Sequence, residues 1–73
     1  MPKLLKLTKM NYTKQTVLIA NAKAQRMGGY TENREYTIKE FYGINDSSCI
    51  IADDLELDDH FYVINLEKFF TTK

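Results

Sequence analysis

The densest group of chemically active side chains in this sequence is an acidic run next to the only histidine. The group consists of Asp53, Asp54, Glu56, Asp58, Asp59 and His60. Converging carboxylates can hold a hard cation such as Ca²⁺, but the spacing and the glycine of an EF-hand loop are both absent. We therefore expect neither a metal nor another cofactor here.

Two interpretations of this acidic run stay open. In the first, it is a solvated connection between two strands, with Leu55 and Leu57 tucked beneath the sheet. In the second, its carboxylates meet a basic protein partner, because clustered like charges steer a partner of opposite charge. The residues predicted for this contact are Asp53, Asp54, Glu56, Asp58 and Asp59. We expect three of them, Asp54, Glu56 and Asp58, to be exposed.

The basic residues form a second group. Residues 1–29 carry six bases and no acid, a formal charge of +6, whereas residues 30–73 carry ten acids and four bases, a formal charge of −6. A basic strip with an interleaved aromatic is the footprint of nucleic-acid binding. The residues predicted for this alternative are Lys3, Lys6, Lys9, Tyr12 and Lys14. The same lysines would also suit the solvent face of a hairpin, where they prevent edge-to-edge aggregation.

Cys49 and His60 are the one pair that could supply a nucleophile and a base. Cys49, however, opens an apolar strand, and a buried free cysteine usually behaves as a small hydrophobe. No glycine-rich phosphate loop and no serine motif accompanies them. We therefore predict no catalytic residue and a protein that is not an enzyme.

Composition sets the scale of the fold. Seventy-three residues make a single domain, residues 1–73, whose core is small for its surface. The single cysteine permits no internal disulfide and fits a reducing compartment. No apolar run is long enough to cross a bilayer, and the first residues do not read as a secretion signal. We expect a cytoplasmic protein.

Hydrophobic patterning predicts short strands before the glycine pair Gly28-Gly29. Residues 3–10 alternate in part, and residues 15–20 have the β-branched composition of a buried strand, so the two suggest a hairpin. A helix over residues 14–27, capped by Thr13, is the rival interpretation. A strand to Ala20 followed by a short helical turn reconciles them.

After the glycine pair, three more strands are predicted. Residues 34–42 alternate, with Tyr36, Ile38 and Tyr42 on one face. Residues 49–52 and 60–64 form two apolar strands, and residues 53–59 connect them. Asn65 caps a helical turn over residues 66–70, and the last three residues are expected to fray.

These segments resemble small phage and prophage proteins with an SH3-like barrel. The resemblance covers residues 34–70 and lies in the segments Glu35-Tyr36-Thr37-Ile38, Cys49-Ile50-Ile51-Ala52-Asp53-Asp54, His60-Phe61-Tyr62-Val63 and Leu66-Glu67-Lys68-Phe69-Phe70. It implies a binding role and carries no shared active site.

We therefore predict a mostly β, SH3-like barrel of about five antiparallel strands with a short C-terminal helical turn. Tyr36, Ile38, Ile51 and Val63 are the predicted core. The predicted function is non-catalytic binding of a host protein by a phage- or prophage-type accessory protein, through the acidic surface. The alternative is nucleic-acid binding through the basic segment.

Overall fold

The computed structural model describes residues 12–73 as a small mostly β domain with two short helices. The strands are β1 (Val17–Ala20), β2 (Glu35–Thr37), β3 (Glu40–Tyr42), β4 (Ser48–Ala52), β5 (Asp58–Tyr62) and β6 (Phe70–Thr72). The helices are α1 (Ala22–Met27) and α2 (Leu66–Phe69). Short 3₁₀ turns at Ile44–Asp46 and Val63–Asn65 precede β4 and α2.

The junction between β1 and α1 follows from local chemistry. Residues Val17 to Ile19 form a strand, and two of the three are β-branched. Asn21 then caps α1, because its side-chain oxygen accepts the Ala24 N–H at 3.1 Å. The Asn21 amide also donates to the Lys68 carbonyl at 3.0 Å, which ties α1 to α2. Gly28 ends the helix at φ 103°. The reconciled interpretation, a strand to Ala20 followed by a short helix, is confirmed, and the longer helix capped by Thr13 is wrong.

The strands form two antiparallel three-stranded sheets. The first sheet has the order β2-β1-β6, and the second has the order β3-β4-β5. A single strand was predicted over residues 34–42, but the chain bends at Ile38 and Lys39 and enters the second sheet as β3. Because the bend changes the strand phase, Tyr36 and Ile38 are buried while Tyr42 is exposed, and the prediction that all three share one face is wrong.

The core lies where the two sheets meet. Its largest part is an aromatic cluster of Tyr30, Tyr36, Phe61 and Phe70, in which the Tyr30 ring lies 5.0 Å from Tyr36 and 5.6 Å from Phe70, both edge-on. Phe61 comes from the second sheet and Phe70 from the first, and their ring centroids are 5.7 Å apart. The predicted core residues Tyr36, Ile38, Ile51 and Val63 are all buried, as expected.

The predicted mostly β fold with a short C-terminal helical turn is confirmed, but within residues 12–73 the predicted SH3-like barrel is not closed, because the two sheets remain separate. Residues 12–73 form six strands, although only four of the five predicted strands fall in this range. The strand predicted over residues 34–42 is divided into β2 and β3, and β6 was not predicted. β6 pairs with β1 through Phe70↔Ala20, Thr71↔Ile19 and Thr72↔Leu18, so the prediction of a frayed C-terminus is wrong.

Three smaller predictions concern element boundaries. The strand predicted over residues 60–64 starts earlier, at Asp58, and ends at Tyr62, where the Val63–Asn65 turn begins. The Asn65 side chain makes no capping hydrogen bond to α2. The first strand of the predicted N-terminal hairpin, residues 3–10, lies outside the described residues. Within residues 12–73, no helix is long and apolar enough to span a membrane.

Candidate functional site

The acidic run folds as a tight turn whose first residue holds it together. The Asp53 carboxylate accepts the N–H groups of Leu55 and Leu57 through one oxygen, at 2.9 and 3.0 Å. The Asp53 carbonyl accepts the Glu56 N–H at 2.9 Å, and Glu56 adopts a positive φ of 63°. Gly29 packs so closely on this turn that a Cβ there would lie 2.7 Å from the Asp53 carboxylate. Asp53 is therefore a structural residue of the turn.

Asp54 is partly buried and is hydrogen-bonded within the protein. Its two carboxylate oxygens accept hydrogen bonds from the Tyr36 hydroxyl and the Thr31 hydroxyl, both at 2.6 Å, and Arg34 lies 3.3 Å away. The hydrogen bonds from Thr31 and Tyr36, followed by the charge of Arg34, hold the Asp54 pKa below its usual value. The prediction that Asp54 is exposed is wrong, because its side chain is partly buried and both of its oxygens accept hydrogen bonds within the protein. Its role in a partner contact stays a prediction.

The other three acids of the run have different surroundings. Glu56 is exposed, and Asp58 is exposed and pairs with Lys39 at 2.7 Å. Asp59 is half-buried and lies near Tyr30, whose pKa is raised by burial first and by the Asp59 carboxylate second. Of the described residues, no group of three or more His, Cys, Asp or Glu side chains is arranged to hold a metal ion.

Leu55 and Leu57 do not tuck beneath the sheet. They are 76% and 60% exposed at the tip of the acidic turn, so the predicted burial of these two leucines is wrong. The turn is instead held by the hydrogen bonds of Asp53 and Asp54, so its leucines are left at the surface.

The predicted nucleic-acid strip is only partly within the described residues. Lys3, Lys6 and Lys9 lie outside them. Tyr12 packs half-buried against the core, where burial raises its pKa, and Lys14 lies 3.8 Å from Glu40. Part of Tyr12 is therefore used in packing against the core.

Cys49 and His60 lie on opposite faces of the second sheet. Cys49 pairs in register with Phe61 and is fully buried, whereas His60 pairs with Ile50 and is exposed. Burial raises the pKa of the Cys49 thiol to about 11, so it stays protonated at neutral pH. The two residues cannot form a nucleophile–base pair in this fold.

The outer face of the second sheet, meaning the side turned away from the core, presents a row of aromatic side chains. Cross-strand partners share one face, and the register aligns Tyr42 with Ser48 and Ser48 with Tyr62. The next row is Glu40, Ile50 and His60.

Tyr42 and His60 contact each other on this face. The Tyr42 hydroxyl lies 2.8 Å from His60 Nδ1, and the two rings meet edge-on with centroids 5.5 Å apart. Ser48 is small and buried between the two tyrosines. The result is a shallow cleft of about 360 Å³, here called the Ser48 cleft, which is lined by Tyr42, Ser48, His60, Phe61 and Tyr62.

Large exposed apolar side chains concentrate around this face. Of the described residues, those with more than 40% exposure are Met27, Tyr42, Ile44, Leu55, Leu57, Tyr62 and Ile64. All except Met27 lie on the strands of the second sheet or on the turns that adjoin them. The two turns that carry Ile44 and Ile64 are joined by a hydrogen bond from the Val63 N–H to the Ser47 carbonyl at 2.9 Å.

A second depression adjoins the Ser48 cleft at β5, an edge strand of the described sheet. It has a volume of about 400 Å³ and lies between the end of α1, the acidic turn and β5. We call it the Asp59 pocket, and its lining includes Met27, Gly29, Asp53, Leu55 and Asp59. His60 and Phe61 line both depressions, so the two are neighbours.

The second sheet and its turns carry a strongly negative formal charge. Residues 39–62 carry seven acids and a single base, Lys39, which is a formal charge of −6 with His60 neutral. The remaining described residues, 12–38 and 63–73, carry six bases and three acids, a formal charge of +3. The charge segregation seen along the sequence therefore becomes a segregation between the second sheet and the rest of the domain.

Sequence reasoning found the acidity of this region but missed the aromatic face. One signal was present: Asp58, His60 and Tyr62 alternate with Asp59 and Phe61, as in a strand with one solvent face. Tyr42 could not be assigned to this face, because its phase depends on the bend between β2 and β3.

The chain matches no family model, no curated protein and no solved structure.

Proposed function

We propose that this protein is a non-catalytic binding protein and that the outer face of the second sheet contacts its protein partner. The observation that carries the proposal is the concentration of exposed Tyr42, Ile44, Tyr62 and Ile64 at one end of this sheet. Contiguous exposed apolar surface is uncommon on monomeric proteins and is typical of interaction sites, in which tyrosine is enriched.

The acidic residues act at the rim of this contact. Among the acids predicted for the contact, Glu56 and Asp58 remain exposed, whereas Asp53 and Asp54 are used within the fold. Charged residues at the rim of an interface mainly affect the encounter rate and the choice of partner. The predicted acidic contact is therefore proposed in a modified form, with an apolar centre and an acidic edge.

We also propose a cellular setting for this binding protein. The resemblance to phage and prophage SH3-like proteins supports an accessory protein that binds a host protein. A cytoplasmic location is supported by the single cysteine, Cys49, which is a buried free thiol. Nucleic-acid binding stays the alternative, through the predicted residues Lys3, Lys6, Lys9, Tyr12 and Lys14. The half-buried position of Tyr12 supports this alternative less than the exposed tyrosines support protein binding.

The proposal can be tested by comparing partners captured by matched variants. Tyr62→Ser with Ile64→Ser removes exposed apolar surface from the outer face, and neither side chain belongs to the buried core. Lys23→Ser, at an exposed position of α1, is the control. Proteins recovered from a bacterial lysate are quantified for each, and a candidate is then purified and titrated by calorimetry.

The expected result is a partner that binds the wild-type protein and the Lys23→Ser control equally but binds the double variant at least tenfold more weakly. The folding of all three is checked by circular dichroism. If every recovered protein binds the double variant as well as the wild type, the outer face is not the contact and the proposal fails.

A further inference from the structure

Building on the proposed function, we infer that the partner presents an extended segment containing arginine or lysine, with one basic side chain in the Ser48 cleft. The inference concerns the chemistry of the occupant, which the apolar character of the face does not specify. Two features specify it: the aromatic walls of the cleft and the charge of the sheet around it.

The aromatic walls suit a flat or chain-like cationic group. Tyr42 and Tyr62 stand on β3 and β5, two strand spacings apart, or about 9.5 Å between their backbones. Ser48 forms the floor between them and contributes little bulk. A guanidinium with its methylene stem can lie against the exposed tyrosine rings, whose faces attract cations.

The charge of the sheet selects among occupants. The formal charge of −6 on residues 39–62 favours a cationic segment and opposes a nucleic acid, whose phosphates would be repelled. It also opposes a symmetric pairing of two copies through this face, because the two copies would bring charge of the same sign to the contact. A basic segment from another protein is therefore the occupant that the surface favours.

The Asp59 pocket provides a second contact for the same segment. It adjoins the cleft along β5 and combines the exposed apolar side chains of Met27 and Leu55 with the carboxylates of Asp53 and Asp59. A long basic side chain can lay its stem on the apolar residues and its charge near the carboxylates. A segment running along β5 would thus contact both depressions.

Titration of the full-length, ¹⁵N-labelled protein with short peptides tests the inference. The probes are an alternating arginine–valine octapeptide, its lysine–valine form, a citrulline–valine form of nearly the same shape but neutral, and a glutamate–valine form. The observable is the change in amide chemical shifts. For the arginine and lysine peptides we expect saturable changes at Tyr42, Ser48, His60 and Tyr62.

The citrulline peptide should bind at least fivefold more weakly, and the glutamate peptide should not bind. Tyr62→Ser should lower the affinity for the arginine peptide about threefold, the loss of one exposed cation–aromatic contact, whereas Tyr62→Phe should retain it within twofold. Tyr62 is 65% exposed, so both variants are expected to fold, and their amide spectra verify this.

Several results would overturn the inference. These are no saturable change with either basic peptide, equal binding of the citrulline peptide, or changes centred on the first sheet. Two other results would identify a different occupant and reject ours. In one, octathymidylate shifts the same amides; in the other, sedimentation shows a dimer that Tyr62→Ser dissociates. A captured partner that depends on the outer face but binds through a segment without basic residues would reject only this inference. Capture that is independent of the outer face would reject the proposed function instead.

Discussion

Ile51 is fully buried on the inner face of β4, the central strand of the second sheet. Replacing it with alanine should lower the free energy of unfolding by about 2–5 kcal/mol, because buried methyl groups are lost and a cavity remains. That is a large part of the roughly 5–15 kcal/mol available to a small domain. Chemical denaturation measures the change.

Ile64→Ala is the matched control for Ile51→Ala, since Ile64 is 77% exposed. Its effect should stay within about 0.5 kcal/mol, as is usual for surface substitutions. Equal effects of the two substitutions would contradict the assignment of Ile51 to the core and of Ile64 to the surface.

Asp54 links the stability of the domain to pH. Its pKa in the folded protein lies below the ordinary value of 3.8, because Thr31 and Tyr36 donate hydrogen bonds to the charged carboxylate. A lowered folded-state pKa means that the charged form stabilises the fold above pH 3.8 and that this contribution is lost as pH falls through the folded value. Asp54→Asn should therefore lower the melting temperature at pH 7, and the difference from wild type should shrink towards pH 2–3.

Glu56→Gln is the control for Asp54→Asn, because Glu56 is exposed on the same turn and, within the described residues, makes no ion pair. It should change the melting temperature little at any pH. An Asp54→Asn effect that stays constant from pH 7 to pH 2 would contradict the role assigned to the ionised carboxylate.

The burial of single residues was predictable where strand phase alone determines it. Tyr36, Ile38, Ile51 and Val63 sit on the apolar phase of the predicted strands, and all four are buried. The environment of Asp54 was not predictable, because its hydrogen-bond partners are 23 and 18 residues away in sequence. Local patterning has no information on such contacts.

At the scale of elements, β6 completes the first sheet although it is only three residues long. Its Phe70 is 2% exposed and belongs to the aromatic cluster, and the Lys73 N–H donates to the Val17 carbonyl at 3.0 Å. A chain that ends at Phe69 should therefore lose cooperative thermal unfolding and the spread of its amide spectrum. Removing Phe70 alone withdraws burial worth about 3–5 kcal/mol.

Thr71→Ala is the control for this truncation, because Thr71 is exposed and contributes mainly its backbone to β6. It should unfold cooperatively within a few degrees of wild type. Cooperative unfolding of the truncated chain at a similar temperature would show that the C-terminal residues are dispensable.

Element boundaries show what patterning alone can and cannot provide. The β1–α1 junction was predictable because residue composition changes sharply at Asn21. The division of residues 34–42 into β2 and β3 was not, since the bend at Ile38 and Lys39 is imposed by the packing of the two sheets. β6 was missed for a similar reason: a short terminal strand is stabilised by its pairing with β1, a long-range contact.

At the scale of the whole molecule, the zero net charge conceals an electrical asymmetry that follows the architecture. The second sheet and its turns, residues 39–62, carry −6, and the rest of the described chain carries +3. Such an asymmetry orients an approaching charged partner and raises its association rate, over a range of about 8 Å at physiological salt.

The position of the charges, as distinct from their number, should therefore determine how fast a cationic partner binds. Asp46→Asn with Glu56→Gln removes two acids from the second sheet and its turns, and both side chains are exposed. Stopped-flow binding of the arginine–valine octapeptide should be slower by a factor of about two to five, with a weaker dependence on salt. The fold should be unaffected, because, within residues 12–73, neither side chain makes an ion pair.

Glu32→Gln with Glu35→Gln provides a control of equal net charge. It also removes two acids, but from β2 and the loop before it, outside residues 39–62. This variant should bind the peptide at the wild-type rate. If both double variants slow binding equally, only the net charge matters, and the second sheet does not steer its partner. If neither does, the association is controlled by the apolar contact at Tyr42 and Tyr62 alone.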